Sequence, residues 1–302
     1  MTMWLFRSYG PRNDILVYAD MRYQKFSAII IGCIVLLSCQ TVREDYTNPK
    51  GPRYQGRYAP DAPEFKGSLR IVTYNIKLSK KLEQAVQELS EEPDLKDADV
   101  ILLQEMDPAA VEIMGKILKY NYIYYPAALR GWDNKGFGNA VLSRWPILRH
   151  QKIVLPYENP IRKMHRNAVL ATLQVGDYEI LTCSVHTEIA TLAQSKRLEQ
   201  SEALLESIAQ GYPYAIVGGD FNTDSQYIIR ETERLFRKSG FVWANKGLGP
   251  TAQGDPLGIF DFEFDFIFVR GLEVLETGKV EEAKASDHLP VWAVLEIKEG
   301  AV

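Results

Sequence analysis

The sequence predicts an α/β (α+β) fold in which two mixed β-sheets pack face to face with helices outside. Three observations carry that expectation: strand-like and helix-like runs alternate early in the chain, hairpin patterns fill its middle, and 46% hydrophobic side chains in 302 residues suffice for one large core. Residues 69–76 read as a strand. Residues 80–91 set Leu82, Val86 and Leu89 at helical spacing, 100–105 form a short buried-strand run, and 108–120 read as a helix with Pro108 at its first position. Segments 137–143, 147–155, 167–175 and 178–186 are strand candidates, with Val175-Gly176-Asp177-Tyr178 as a tight hairpin. A helix over 191–210 is expected to turn Leu198, Leu205 and Ile208 inward; 214–219 is the next strand and 225–239 the next helix. From Phe260 the chain alternates, so Phe260, Phe262, Phe264, Phe266 and Phe268 are expected to form one core-facing stripe.

The first 65 residues read differently. Met21-Arg22-Tyr23-Gln24-Lys25 is a basic start, residues 26–38 are an apolar stretch, and Leu36-Leu37-Ser38-Cys39 is similar to a bacterial lipobox. The apolar stretch is shorter than the roughly 20 residues a membrane span needs. The expectation is therefore an upstream extension and lipoprotein signal over 1–39, with Met21 as the true initiator, cleavage before Cys39 and acylation of that cysteine. An ordinary secretory signal with an incidental Cys39 is the alternative. Residues 40–66, rich in Pro, Gly, Tyr and Arg, read as a tether to a domain over 67–302. The protein is expected to be exported, anchored in the bacterial cell envelope and monomeric.

Cysteine usage agrees with export. Cys33 lies in the apolar stretch and Cys39 at the anchor, so only Cys183 remains in the domain and no internal disulfide forms there. The net charge of −4 falls further when residues 1–38 are removed, leaving 31 basic against 37 acidic side chains. Such a chain does not attract polyanions by its overall field, so a phosphate substrate has to be drawn by a cation and a local basic patch.

The polar residues then fall in a pattern. Asn75, Glu105, His186 and Asp220 each close an apolar run, whereas Asp265 and the pair Asp287-His288 open one. Strands running opposite to the first four would bring all seven groups to one rim. Taken singly, each has a bland explanation as a turn former, a solvated charge or a satisfied core histidine; jointly they form the inventory of a metal-assisted phosphoryl hydrolase. His150 and His165 read as surface histidines.

Seven motifs make the pattern recognisable: Thr73-Tyr74-Asn75-Ile76, Leu103-Gln104-Glu105, Gly138-Asn139 through Ser143-Arg144, Ser184-Val185-His186-Thr187, Gly219-Asp220-Phe221-Asn222, Asp265-Phe266-Ile267-Phe268 and Ser286-Asp287-His288-Leu289-Pro290. In this order they resemble the endonuclease/exonuclease/phosphatase superfamily from about Leu69 to Lys298. The resemblance implies a four-layer, DNase I-like sandwich. It implies Glu105 as principal metal ligand with Asn75 and Asp287 beside it, Mg²⁺ as the cofactor and Mn²⁺ as a substitute. Asp220 is implied to orient or deprotonate the water, Asn222 to hold a phosphoryl oxygen, Asp265 to orient His288, and His186 to face the phosphate. Either Asp220 or His288 serves as the base. Arg166 and Lys77 are the candidate substrate-binding cations, Asn139 and Ser143 support the rim, and residues 132–136 form a substrate-side loop. The expected activity is hydrolysis of a phosphodiester or phosphomonoester, the partner being a phospholipid head group, an inositol phosphate or nucleic acid. An exported DNase-like endonuclease and a non-catalytic phosphate-binding lipoprotein are the alternatives.

Overall fold

The computed structural model describes residues 41–208, 211–253 and 261–297; the expected signal, Cys39 and Phe260 lie outside them. In chain order the first half holds β1 (Val42–Asp45), β2 (Tyr54–Gly56), β3 (Ser68–Asn75), α1 (Leu82–Glu91), β4 (Val100–Met106), α2 (Pro108–Leu118), β5 (Asn121–Arg130), β6 (Gly136–Ser143) and β7 (Ile147–Val154). The second half holds β8 (Asn167–Val175), β9 (Tyr178–His186), α3 (Gln194–Ser207), β10 (Ala215–Asp220), α4 (Gln226–Lys238), β11 (Val242–Trp243), β12 (Ala252–Gln253), β13 (Asp261–Phe262), β14 (Asp265–Arg270), β15 (Leu272–Lys279) and β16 (Val291–Ile297).

One sheet has the order β1-β5-β6-β4-β3-β16-β15, with β2 also on β5; the second has the order β11-β14-β10-β9-β8-β7. Leu69, Ile71, Leu102 and Val291 of the first sheet meet Val169, Ile216, Ile267 and Val269 of the second in the central core. Outside the first sheet, Val86 and Leu89 of α1 and Val111 and Met114 of α2 pack on Val72, Ile101 and Leu103. Outside the second, Leu204 of α3 and Ile229 and Phe236 of α4 pack on Cys183, Val217 and Phe268. The result is the four-layer order helix, sheet, sheet, helix. The hairpin at Val175↔Tyr178 forms as expected, with Gly176 at φ 53°.

Chain direction sets the location of the site. β3 runs parallel to β4 and β9 parallel to β10, while β16 and β14 run against them. Strand ends Asn75, Glu105, His186 and Asp220 and strand starts Asp265 and His288 therefore share one edge. In the second sheet the register is direct: Asp220 lies opposite His186 on one side and Asp265 on the other. Gly218 lets the layers close here, and Gly219 lets β10 lie tight against β9. A Cβ on Gly218 would stand 2.7 Å from Leu102 Cδ1 across the sheets, and one on Gly219 would stand 1.9 Å from the Val185 carbonyl oxygen.

The structure corrects several expectations. Part of the 40–66 tether is folded: β1 and β2 pair with β5, and the buried Lys152 ammonium donates to the carbonyls of Tyr46 and Gly51 at 2.8 Å each. The Phe stripe breaks at Glu263-Phe264. Phe262 and Phe264 stack on each other half-buried, whereas Phe266 and Phe268 are buried and so are Ile267 and Val269 on the opposite face, because β14 is covered by both a helix layer and a sheet. The inward face of α3 carries Arg197, Gln200, Ser201 and Leu204, and Leu198 and Leu205 are only half-buried. That helix braces polar loops rather than apolar core alone. Strands β5 and β15 have no counterpart in the sequence reading; in β5, Pro126 sits where the pairing with β6 slips at Pro126/Ala128, the position in a sheet that tolerates a missing N–H.

Candidate active site

Asp220 is 1% exposed and is gripped from four directions. Its Oδ1 accepts from the Asn222 N–H at 2.9 Å, and its Oδ2 accepts from Asn75 Nδ2 at 2.9 Å, a bond that joins the two sheets. His186 Nε2 is 3.3 Å away and His288 Nε2 3.7 Å. The other ring nitrogen of His288 lies 2.9 Å from Asp265 Oδ2, which also accepts from the Thr251 hydroxyl at 2.7 Å. Thr251 in turn accepts from the backbone N–H of Phe264 and of Asp265. Asp265 is fully buried and its Oδ1 has no hydrogen-bond partner.

The charges follow from this burial. Burial pushes the Asp220 carboxyl up to about 7 despite the nearby His288 charge. Burial pulls His288 down, but the carboxylates of Asp265 and Asp220 overcome it and push the ring up to about 10. His186 is held well below its ordinary value by burial and then by the Arg166 charge, so it is neutral. Near neutrality the rim holds a protonated His288, a neutral His186 and an Asp220 that titrates.

The expected substrate-binding Arg166 lies inside the protein, 1% exposed, rather than on a loop surface. Its Nη1 is 3.1 Å from both ring nitrogens of His186, its Nη2 donates to Glu188 at 3.2 Å, and the guanidinium covers the Phe137 ring at 5.1 Å. Glu188 is fixed by Gln200, which accepts from the Glu188 N–H, and Arg197 donates to the carbonyl of Asn222 and to Asp224. Asn222 has a left-handed backbone, φ 48°, and donates its amide to the Thr187 carbonyl at 3.0 Å. His150 and His165, read as surface residues, are half-buried against the Tyr125 hydroxyl at 2.8 Å and Asp45 at 2.7 Å.

The first-sheet side is built differently. The β4–β6 pairing shifts between Leu103 and Met106, and Glu105 within that bulge has φ 58°. A left-handed non-glycine in a bulge lifts its side chain out of the strand alternation, a strain tolerated mostly at functional positions. Among the described residues its carboxylate has no hydrogen-bond or ion-pair partner. Lys77, the other substrate-binding candidate, pairs with Asp287 at 2.7 Å. Burial raises the Asp287 carboxyl, but His288 and Lys77 hold it below its ordinary value. Behind these groups Glu88 of α1 accepts from the Tyr74 hydroxyl at 2.9 Å and from the N–H groups of Lys284 and Ala285 at 2.7 and 2.9 Å. One helix carboxylate thus fixes the residue before Asn75 and the loop before Asp287.

One set of groups stands close enough to share a metal ion, and the family resemblance implies another. Asp220, Asp265 and His288 have ligand atoms within 4.8 Å of one another, but these atoms already bond to Asn75, Asn222, Thr251 and each other. Glu105, Asn75 Oδ1 and Asp287 are oxygen donors only, one without a partner and one neutralised by an ammonium. Sequence reasoning missed Thr251, Glu88, Glu188, Arg197 and Gln200, which lie in loops and helices with no motif to mark them.

No curated protein matches this sequence. Similar solved structures include D. rerio TDP2 complexed with a single-strand DNA product (19% identity, 76% of this chain and 100% of that one, TM-score 0.61). They also include an endonuclease/exonuclease/phosphatase from Beutenbergia cavernae (19%, 77% and 72%, TM-score 0.62) and the mannosyl-6-phosphatase of Bacteroides thetaiotaomicron (19%, 75% and 99%, TM-score 0.56). At such identities the likeness establishes the fold. The profile of the Endonuclease/Exonuclease/phosphatase family matches residues 72–288, well over half of the sequence, and the chain belongs to that family, hydrolases of phosphate esters.

Proposed function

We propose that the protein is a Mg²⁺-dependent phosphoesterase that cleaves a phosphodiester or phosphomonoester by in-line attack of water, exported and held to the membrane through an acylated Cys39. The observation that carries this reading is the buried Asp220 carboxylate 3.7 Å from the His288 ring, which Asp265 holds at 2.9 Å where the two sheets meet; burial raises the carboxyl to about 7, and the carboxylates raise the imidazole to about 10 against the pull of burial. Groups tuned apart in this way suit a base and a cationic partner working together near neutral pH. Asp220 takes the proton of the attacking water, oriented by its bonds from Asn75 and Asn222. His288, kept protonated by Asp265, meets the developing charge on the phosphoryl group. His186, pressed by Arg166, presents a neutral ring beside Asp220.

Glu105, Asn75 and Asp287 fit a hard divalent cation, since all three offer oxygen and the unpartnered Glu105 carboxylate gains a ligand without losing a bond. Lys77 at Asp287 is the protein's own stand-in for that charge. When bound, Mg²⁺ supplies neutralisation of the phosphoryl oxygens. A purely phosphate-binding role has no use for a proton-accepting carboxylate beside a charged imidazole.

The test is turnover of bis-p-nitrophenyl phosphate, plasmid DNA, sphingomyelin and inositol phosphates with Mg²⁺ or with a chelator. Metal-dependent hydrolysis of at least one is expected, and folded protein that turns over none would overturn the assignment. An exported nuclease is the second reading, favoured by the DNA product bound to the similar TDP2 structure; preferential cleavage of plasmid DNA over the other esters would select it.

A further inference from the structure

We propose that the rim bearing the site docks on a phospholipid surface, with Trp132 as the residue that enters the interface. The proposal rests on the reading of Cys39 as an acylated anchor. It comes from the place where the folded chain begins. Val42 pairs with Arg130, the last residue of β5, and its N–H donates to the Arg162 carbonyl at 3.2 Å. Its side chain packs against Ala127, Ala128, Phe137 and Met164, and the Phe137 ring lies 5.8 Å from that of His186. Gly131, on the turn after β5, approaches so closely that a Cβ on it would stand 2.6 Å from the Thr41 carbonyl oxygen. From Val42 the strand runs away from the rim, with Tyr46 N–H bonding to the Ala127 carbonyl. Thr41 is therefore at the mouth of the site. Cys39 is two residues earlier in the sequence, a reach of at most about 7 Å. Acyl chains fixed there bring this edge, and not the opposite one, against the bilayer.

The loop beside that point is built to present an indole. Trp132 is 42% exposed, whereas Trp145, Trp243 and Trp292 are at most 9% exposed. Beneath it lies the guanidinium of Arg130, 5.5 Å from the ring and itself buried. Arg130 is locked to Asp133 by bonds of 3.1 and 2.8 Å, Asp133 also accepts from the Lys135 N–H, and Arg43 donates to Asn134. An indole held outward on a rigid turn matches the preference of tryptophan for the head-group layer. Lys135, on the same turn, has a side chain 57% exposed and lies 3.8 Å from Asp107. Docked in this way, the site faces phosphate esters of the head-group layer.

The test uses the protein that begins at acylated Cys39, reconstituted in phosphatidylethanolamine and phosphatidylglycerol vesicles with brominated acyl chains. Quenching of tryptophan emission relative to unbrominated vesicles is expected, together with its loss in Trp132→Phe, which keeps an aromatic ring in an exposed turn. Membrane-bound protein whose emission ignores the bromine overturns the docking. So does quenching that persists in Trp132→Phe, or protein that stays off the vesicles, including protein retained by single-stranded DNA instead. Hydrolysis of bis-p-nitrophenyl phosphate on the same samples reports the phosphoesterase reading separately; its absence would sink that reading and leave the quenching result standing.

Discussion

The two halves of the site are finished to different degrees. Asp220, Asp265 and His186 on the second sheet, and His288 reaching them from the loop before β16 of the first, are buried and bonded to one another or to Thr251, Asn222 and Arg166. On the first sheet Glu105 is unpartnered on a left-handed bulge, and Asp287 leans on a half-exposed lysine. The difference teaches that the proposed proton-handling groups are preorganised by the fold, while the oxygen-donor side is left open to be ordered by the proposed cation. Each prediction below breaks or sharpens that contrast.

The largest effect belongs to the finished half. Asp220→Asn and His288→Ala are each expected to lower kcat by about 10²–10⁴-fold with Mg²⁺ affinity little changed, measured by steady-state kinetics across a Mg²⁺ titration. Next comes the unfinished half: Glu105→Gln should weaken Mg²⁺ about 10–100-fold, and raising the Mg²⁺ concentration should restore part of the rate. A rate lost equally at all Mg²⁺ concentrations would place Glu105 with the proton-handling groups instead.

The pH dependence sharpens the comparison further. On the proposed mechanism the rate requires Asp220 ionised and His288 protonated, so it should rise through about pH 7 and fall as pH approaches about 10. Asp265→Asn removes the largest charge that raises His288, so the alkaline limb should move to lower pH. Stability carries the same signature: a raised histidine stabilises the fold fully below its ordinary value and loses that contribution as pH rises through about 10. Asp265→Asn should therefore lower the melting temperature more at pH 6 than at pH 10.5. The smallest effect on kcat is expected from Thr251→Val, which removes the bond to Asp265 Oδ2 and the two that the hydroxyl accepts from the Phe264 and Asp265 N–H groups, each worth about 1 kcal/mol of stability, and should cost a few-fold in kcat; an unchanged pH profile would show that Asp265 holds His288 without it.

How much of this was legible in the sequence follows the same division. His186, Asp220 and Asp265 were readable because each ends or begins an apolar run, and strand direction alone brings such positions to one edge. Glu105 was readable as a strand end, but its bulge was not, since nothing in Leu103-Gln104-Glu105 announces a left-handed residue. Thr251, Glu88, Glu188, Arg197 and Gln200 act across long separations from loops and helix faces. In α3 the apolar Leu198, Leu205 and Ile208 drew the expectation of an inward face, and only packing against the Glu188 and Asn222 loops reveals Arg197 and Gln200 as bracing. The folded segment after Gln40 was hidden for a related reason: its Pro, Gly and Tyr content resembles a tether, and its strands exist because β5 offers them an edge.

The Glu88 carboxylate has a mechanical meaning. Because it grips the residue before Asn75 and the turn before Asp287 at once, any tilt of the outer helix α1 carries those two oxygen donors in step and leaves their mutual spacing intact. Glu105, on a separate strand and outside that grip, is the donor whose distance changes. A disturbance arriving at the solvent side of α1 would thus be felt at the chemistry as a change in the size of the cation's cradle.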